Sequence, residues 1–314
     1  MTAPLQDVPV AVVVAVLTYR RTEQLRALLP QLVAQAEELD AAGDYATTVV
    51  VVDNDPAADA AAVVAPLAPR VRYVHEEVPG IANGRARAVT EAAAADLLVF
   101  IDDDEEPRPG WLTALVGTWA ERGRPAGVVG RVSPTYAGET DPWIEAGGFF
   151  RRRQYATGTP VPAASSANLL LDVHVLRDLG LTFDRSLGLR GGEDTLLTET
   201  LTRSGHSLLW CAEAEVIDHI PPERMDRRWV LRRAYSHGAV TTRVALGFAA
   251  GGRTLRLRLA VIAAGRVLAG AGQALVGRLT GRLTWQARGW RLVYRGAGML
   301  VGTLGRDVTE YRRG

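Results

Sequence analysis

Cysteine is nearly missing from this chain of 314 residues: Cys211 stands alone, so no internal disulfide can form and a disulfide-stapled scaffold is excluded. The start lacks the pattern of a secretory leader, so Met1 to Pro9 reads as a short disordered leader and the reducing cytoplasm is the expected compartment. Long apolar runs are missing too. The most apolar window, Leu259 to Val276, is barely long enough to cross a bilayer, and its central Arg266 would cost about 2.5 to 3.5 kcal/mol there. No transmembrane bundle and no internal repeat is predicted. The tail lacks acid: Lys+Arg 36 balances Asp+Glu 35 overall, yet from Arg224 onward arginines recur every few residues while acids are almost absent. That asymmetry predicts an anionic partner for the tail, either phospholipid head groups or nucleic acid.

What is present is an alternation of two periods. Val8 to Leu17 and Thr47 to Val52 are β-branched runs, Val71 to Val74 is a third short strand, and Asp96 to Ile101 a fourth. Between them, Glu23 to Leu39, the alanine-rich stretch from Ala57, and Ala82 to Ala95 carry helical spacing. Continuous apolar strands alternating with helices predict an α/β, Rossmann-like, mainly parallel sheet with helices on both faces. Farther on, Trp111 to Trp119, Val173 to Leu179 and Asp194 to Ser204 read as helices. Ala167 to Leu171 reads as a strand and Ser207 to Ile217 as a strand pair or bend. Pro134 to Pro162 shows no clean period and reads as a mobile loop, and from Arg227 the pattern is helical to the end.

Ligands of such sheets bind beyond the carboxyl ends of the strands, where the polar clusters Thr18 to Arg21, Asp53 to Asp55 and Asp102 to Glu106 all fall. The Asp102-Asp103-Asp104 run follows a buried strand, and alternation turns Asp102 and Asp104 to the same side. Two such oxygens suit a hard divalent cation completed by waters and phosphates; an acidic turn capping the next helix is the alternative. Asp53-Asn54 with Asp55 can likewise make an Asx turn rather than a ligand site. Glu193-Asp194, after two glycines, stands where a helix cap would.

Six segments together resemble family 2 of the nucleotide-sugar glycosyltransferases. They are VLTYRR at Val16 to Arg21, VVDNDPAAD at Val51 to Asp59, PGIANGRARA at Pro79 to Ala88, FIDDDEEP at Phe100 to Pro107, SSANLL at Ser165 to Leu170 and GGEDT at Gly191 to Thr195. The resemblance covers roughly the first two thirds of the chain and implies the inverting GT-A fold. It implies that Thr18, Tyr19, Arg20 and Asp53 hold the nucleotide of a nucleotide diphosphate sugar, with UDP the expected nucleotide. Gly80, Arg85, Asn168 and Gly192 are implied beside the donor. The family's Ala and Asn are replaced here by Gly84 and Ala86. Its Asp-x-Asp maps onto Asp102, Asp103 and Asp104, with Asp104 the direct ligand of Mn2+ or Mg2+, Asp102 nearer the ribose or a metal-bound water, and His219 a further ligand. Asp194 is the implied catalytic base, and Glu193 orients the acceptor or the loop.

The expected organisation is a GT-A catalytic domain over 1–222, with a nucleotide-binding half 1–107 and an acceptor half 108–222, followed by a basic amphipathic helical tail over 223–314. The expected reaction moves one sugar to a sugar or lipid-linked acceptor in polysaccharide or glycolipid assembly, since the QxxRW signature of processive synthases is absent. An enzyme attached peripherally to the cytoplasmic face of an anionic membrane is expected. Trp285, Trp290 and Tyr294 among the tail arginines favour lipid, and no nucleic acid partner is expected. Two alternatives stand beside this. A nucleotidyltransferase would need an early glycine-rich loop, and Val12 to Arg21 holds no glycine. A non-catalytic membrane-binding module would not need Asp102, Asp104 and Asp194.

Overall fold

The β-branched runs become strands because a branched Cβ packs well on a pleated surface. The computed structural model describes residues 8–248 and 252–305, so most of the expected leader lies outside the described residues. In chain order the elements are β1 (Val10–Thr18), α1 (Thr22–Asp40), β2 (Tyr45–Asp53), α2 (Ala61–Val64), β3 (Val71–His75), α3 (Ile81–Glu91), β4 (Leu97–Asp102), β5 (Glu105–Pro107) and α4 (Trp111–Glu121). There follow β6 (Gly127–Tyr136), α5 (Pro142–Gly147), β7 (Asn168–Asp172), α6 (Val173–Asp178), α7 (Glu193–Arg203), β8 (Leu208–Ile220), α8 (Arg227–Gly247), α9 (Arg253–Leu279) and α10 (Leu283–Thr303).

The chain divides into two compact units, Met1–Ser133 with Arg153–Gly188 and Glu193–Asp218, and Pro134–Arg152 with Leu189–Gly192 and His219–Gly314. The first holds an 8-stranded sheet of order β3-β2-β1-β4-β7-β6-β8-β5. β3, β2, β1 and β4 run parallel, while β7 is antiparallel to β4, β6 to β7 and β5 to β8. The sheet is therefore mixed, its parallel half formed by the predicted strands. Register matters for the site, because Thr18 pairs with Asp53 and Leu17 with Asp102, which sets three strand ends side by side.

Alternation along β1 divides the core into two layers. Val12, Val14 and Val16 pack with Leu25, Leu28, Leu29 and Leu32 of α1 and with Trp111, Leu115 and Trp119 of α4. Val13 and Ala15 face the other way, with Ala86 and Ala88 of α3, Leu176 of α6 and Leu197 and Leu201 of α7. Each layer buries large aliphatic side chains completely, and losing one to alanine costs about 2 to 5 kcal/mol.

Three expectations are corrected. The helix expected from Ala57 shrinks to the single turn of α2, because Pro66 and Pro69 follow and cannot donate to a continuing helix. The expected strand pair or bend at Ser207 to Ile217 is one 13-residue strand, β8. Pro134 to Pro162, expected to be without structure, contains α5, whose Asp141 accepts from the backbone N–H of Trp143 at 2.8 Å. An aromatic cluster missed by period-counting holds this stretch: Trp143 stacks on Phe149 at 5.3 Å and Phe150 on Trp229 at 6.0 Å. In the second unit Arg227 adds a two-pronged bond to Asp141 (2.5 and 3.0 Å), and α10 packs against α8, α9 and α5.

Candidate active site

At the end of β4 three consecutive carboxylates receive three environments. The Asp103 side chain is 6% exposed and is held on both oxygens, by the Thr18 hydroxyl at 2.8 Å and by Arg21 Nη1 at 2.7 Å. Burial pushes its carboxyl up to about 6, against the opposing pull of Arg21. Asp102 and Asp104 keep 41% and 20% of their side chains exposed. Arg21 Nη1 also lies 2.9 Å from Asp104 Oδ2, and the Arg21 guanidinium, though desolvated, is held above its ordinary value by Asp103 and Asp104. The predicted same-side pair is thus the open pair, and the middle residue ties β4 to the loop after β1. Glu105 is buried and accepts the Asp102 backbone N–H at 3.2 Å, which fixes the turn.

At the end of β2 the acid is spent on the chain itself. Asp53 Oδ1 accepts from Asp55 N at 2.9 Å, and its Oδ2 accepts from Ala60 N and the Tyr73 hydroxyl, both at 3.1 Å. Burial and the Asp53 charge push the Tyr73 phenol up to about 12. Asn54 sews two loops together: its amide donates to Glu76 O and Val78 O (2.7 and 2.8 Å), and its oxygen accepts from Gly80 N at 2.8 Å. Gly80 sits at φ 137°, and a Cβ there would come 3.0 Å from Gly188 Cα, so the position needs glycine. Asp55 Oδ1 lies 3.4 Å from Arg20 Nε, while its buried Oδ2 has no hydrogen-bond partner. Arg20, itself at φ 54°, places its guanidinium 5.0 Å over the Tyr19 ring.

The third contributor is α3. Its Gly84, where the family carries alanine, is explained by packing, since a Cβ would come 2.9 Å from Leu17 Cδ2 of β1. Ala86, where the family carries asparagine, is buried in the apolar layer. Arg85 is also buried. It pairs with Glu193 at the start of α7 through Nη1, and its Nη2 lies 3.8 Å from Asp102 Oδ1. Arg85 thereby connects the end of β4 to the segment that carries Asp194. Asp194 is partly exposed; its Oδ1 accepts from Thr195 N at 2.6 Å and from the Thr195 hydroxyl at 3.2 Å, leaving Oδ2 outside these bonds.

Three more predicted site residues have surroundings of their own. Asn168 is buried, accepts from Trp111 Nε1 at 2.9 Å, and donates to Arg131 O and Ala214 O at 2.9 and 2.8 Å, so it locks the antiparallel half of the sheet. Gly192 belongs to the second unit, at φ 90°, where a Cβ would collide with Val240 of α8; Arg243 of that helix donates to Arg190 O and Gly191 O. His219 is also in the second unit, its Nδ1 3.0 Å from the Thr135 hydroxyl. Among the described residues no group of three or more His, Cys, Asp and Glu side chains is gathered to hold a metal. The donor chemistry at Asp104 and Asp102 nevertheless fits a hard cation that takes its remaining ligands from water and phosphate, since both are partly exposed carboxylates at one strand end. The Asx turn expected at Asp53 is present, in the bond from Asp55 N to Asp53 Oδ1, but the partners of Arg21, Asn54 and Asp55 across the loops were missed. All three stand inside the segments that carry the resemblance, and only the pairing across strands assigns them partners.

Residues 13–180 match the model of glycosyl transferase family 2. The succinoglycan biosynthesis protein ExoM of Rhizobium meliloti (strain 1021) is 30% identical over 232 residues, 72% of this chain and 72% of that protein. Among solved structures, S. aureus TarS 1-349 is similar with a TM-score of 0.51 at 16% identity, covering 94% of this chain and 92% of that one. GalNAc-T7 with UDP, GalNAc and Mn2+ is similar with a TM-score of 0.50 at 14% identity over 74% of this chain, which spans about half (51%) of that chain. At such identities these two structures support the GT-A-like fold and nothing finer.

Proposed function

The chain belongs to glycosyl transferase family 2 and is a glycosyltransferase, and on that premise we propose that it transfers a single sugar, with inversion, from a UDP-sugar to an acceptor hydroxyl. The observation that carries the reading is the graded burial at the end of β4, where Asp103 is consumed by Thr18 and Arg21 while Asp102 and Asp104 face outward. Asp104, with Asp102 beside it, would hold Mn2+ or Mg2+, the cation named with UDP in the GalNAc-T7 structure being manganese. Such a cation neutralises charge on a departing nucleoside diphosphate, a contribution of several kcal/mol. The loop Thr18 to Arg20 and the turn that Asp53 builds receive the nucleotide.

Asp194 takes the acceptor proton through Oδ2 as the acceptor oxygen bonds to the anomeric carbon and the bond from that carbon to the diphosphate breaks. A single displacement turns an α-linked donor into a β-linked product. Glu193, neutralised by Arg85, is a positioning residue that fixes the first turn of α7. ExoM takes its name from succinoglycan biosynthesis, which supports placing this enzyme in polysaccharide assembly; in this reading the acceptor is a sugar or lipid-linked sugar and the enzyme works at the cytoplasmic face of the membrane. A panel of nucleotide sugars incubated with the enzyme without acceptor tests the donor. UDP release from a UDP-sugar with manganese, abolished by chelator, is expected. Full activity in chelator, or a product whose anomeric configuration by NMR is retained, overturns the mechanism.

A further inference from the structure

The pair α9 and α10 is packed inside out for a helix pair in water. The buried line of α9 is Ala263, Gly270, Ala274 and Gly277, all small. A Cβ on Gly270 would come 2.7 Å from the Gly289 carbonyl oxygen of α10, and Gly277, Gly289 and Gly296 are equally intolerant of a side chain because the opposing backbone fills the space. Small residues inside, letting backbones touch, are how helices associate where no hydrophobic drive pulls large side chains inward. The large side chains point out: Leu268 is 74% exposed and Leu279 76%, with Leu257, Val261 and Leu275 also exposed.

These exposed residues form a surface rather than scattered points. From Val261 to Val276 every exposed position is Val, Ile, Leu, Ala or Gly, a strip about 23 Å long covering roughly half the helix circumference. Arg266, which interrupts the apolar window in the sequence, does not interrupt the strip. It is half-buried and its Nη1 lies 2.8 Å from Met299 Sδ of α10. Arginine closes the strip at both ends, with Arg253, Arg256 and Arg258 before it and Arg278 and Arg282 after. Trp285, Trp290 and Tyr294 are exposed on α10. No acidic residue stands between Arg227 and Arg306, and the chain contains no lysine.

We propose that the outer half of α9 is a lipid-embedded surface that seats the chain flat on an anionic bilayer, its two arginine collars among the head-group phosphates. The proposal rests on the peripheral placement given above, but its test reads no sugar transfer, so it can fail while the transfer chemistry stands. Charge chooses the occupant. A second copy laid on the strip, parallel or antiparallel, would bring arginine collar onto arginine collar with no carboxylate on either hairpin to separate them, whereas anionic lipid meets both collars with opposite charge. By length and composition α9, 27 residues long, could cross a bilayer; the spacing of the collars chooses the flat orientation, because the strip of about 23 Å between them falls short of the roughly 30 Å hydrocarbon core and crossing would draw a collar into it.

The experiment floats the purified full-length protein on a density gradient with phosphatidylcholine vesicles, with and without phosphatidylglycerol, at low and high salt. Co-flotation with the anionic vesicles at low salt is expected, falling at least about tenfold with neutral vesicles or high salt. The double variant Leu268→Glu/Leu275→Glu, at exposed positions, should lose flotation while keeping the melting temperature and nucleotide affinity of the parent. If that variant fails to fold, tryptophan fluorescence of the unaltered protein decides: a blue shift on adding anionic vesicles supports the seat, and no shift overturns it. Full-length protein that ignores anionic vesicles at low salt overturns it too. So does a lipid-free dimer abolished by the double variant, which makes the strip an interface between copies. Resistance of native membranes to alkaline carbonate extraction means that α9 crosses and defeats the flat seat.

Discussion

The ends of β2 and β4 present similar sequences, Asp-Asn-Asp and Asp-Asp-Asp, on buried strands that flank β1, yet they use their acids in opposite ways. At β2 the first aspartate is enclosed and both its oxygens accept bonds from Asp55, Ala60 and Tyr73. At β4 the middle aspartate is enclosed and the flanking pair faces outward. The start of α7 repeats the division, with Glu193 buried against Arg85 and Asp194 partly exposed. At β4 and at the start of α7 one acid is enclosed while a neighbour stays partly exposed, whereas at β2 Asp55 is buried as well. The difference follows from what reaches each carboxylate: two backbone N–H groups of its own loop and the Tyr73 hydroxyl at β2, and side chains from the end of β1 and the loop after it at β4. An enclosed acid is thereby costly to remove for stability and an open one for chemistry.

The largest expected effect separates these roles most sharply. Asp104→Ala should reduce transfer by roughly 10³-fold or more, since several kcal/mol of charge neutralisation go with the cation. The melting temperature should stay near that of the parent, because the residue is partly exposed. Activity rates alongside calorimetric manganese-dependent UDP binding check this, and near-parental turnover would remove Asp104 from the site. The next effect is that of Asp194→Asn. It retains an oxygen for Thr195 and loses the proton acceptor, so kcat should fall by roughly 10²- to 10⁴-fold while donor affinity is unchanged. A loss seen in donor affinity instead would move the base elsewhere.

How much of this was legible in the sequence depends on which contacts decide it. The parallel half of the sheet was readable because β-branched runs such as Val10–Thr18 carry their own signal, and the acids at the strand ends were readable from the topology rule. The antiparallel half was not. β5 is only three residues long and contains Pro107, and it exists because Glu105 and Glu106 pair with Asp218 and Ile217 far along the chain. The burial of Asp103 was equally hidden, since alternation gives direction but not the arrival of Thr18 and Arg21 from another strand. Asn168 shows the opposite failure: a polar residue in a family-like segment suggested the donor, and its three bonds to Trp111, Arg131 and Ala214 are structural. In the tail, periodicity gave the helices, but the position of Arg266 off the exposed strip required the helix pair.

The smallest expected effect is the one that can break the comparison. Asp53→Asn preserves size and can keep the acceptor that meets Asp55 N, and the Tyr73 hydroxyl can turn to accept from the new amide. The Ala60 N–H cannot adapt: it donates to Asp53 Oδ2 at 3.1 Å, and an amide nitrogen there would set donor against donor in a buried turn. An unsatisfied buried donor costs about 1 to 3 kcal/mol, so the melting temperature should fall while turnover at saturating donor stays within about tenfold of the parent. Removing the Asp53 charge should also let the Tyr73 phenol, now pushed up by burial and that charge, titrate at lower pH, which NMR of labelled tyrosine can follow. An unchanged melting temperature with nucleotide binding abolished would mean that the carboxylate touches the nucleotide directly. The ends of β2 and β4 would then serve the ligand alike, and enclosure would not mark an acid as structural.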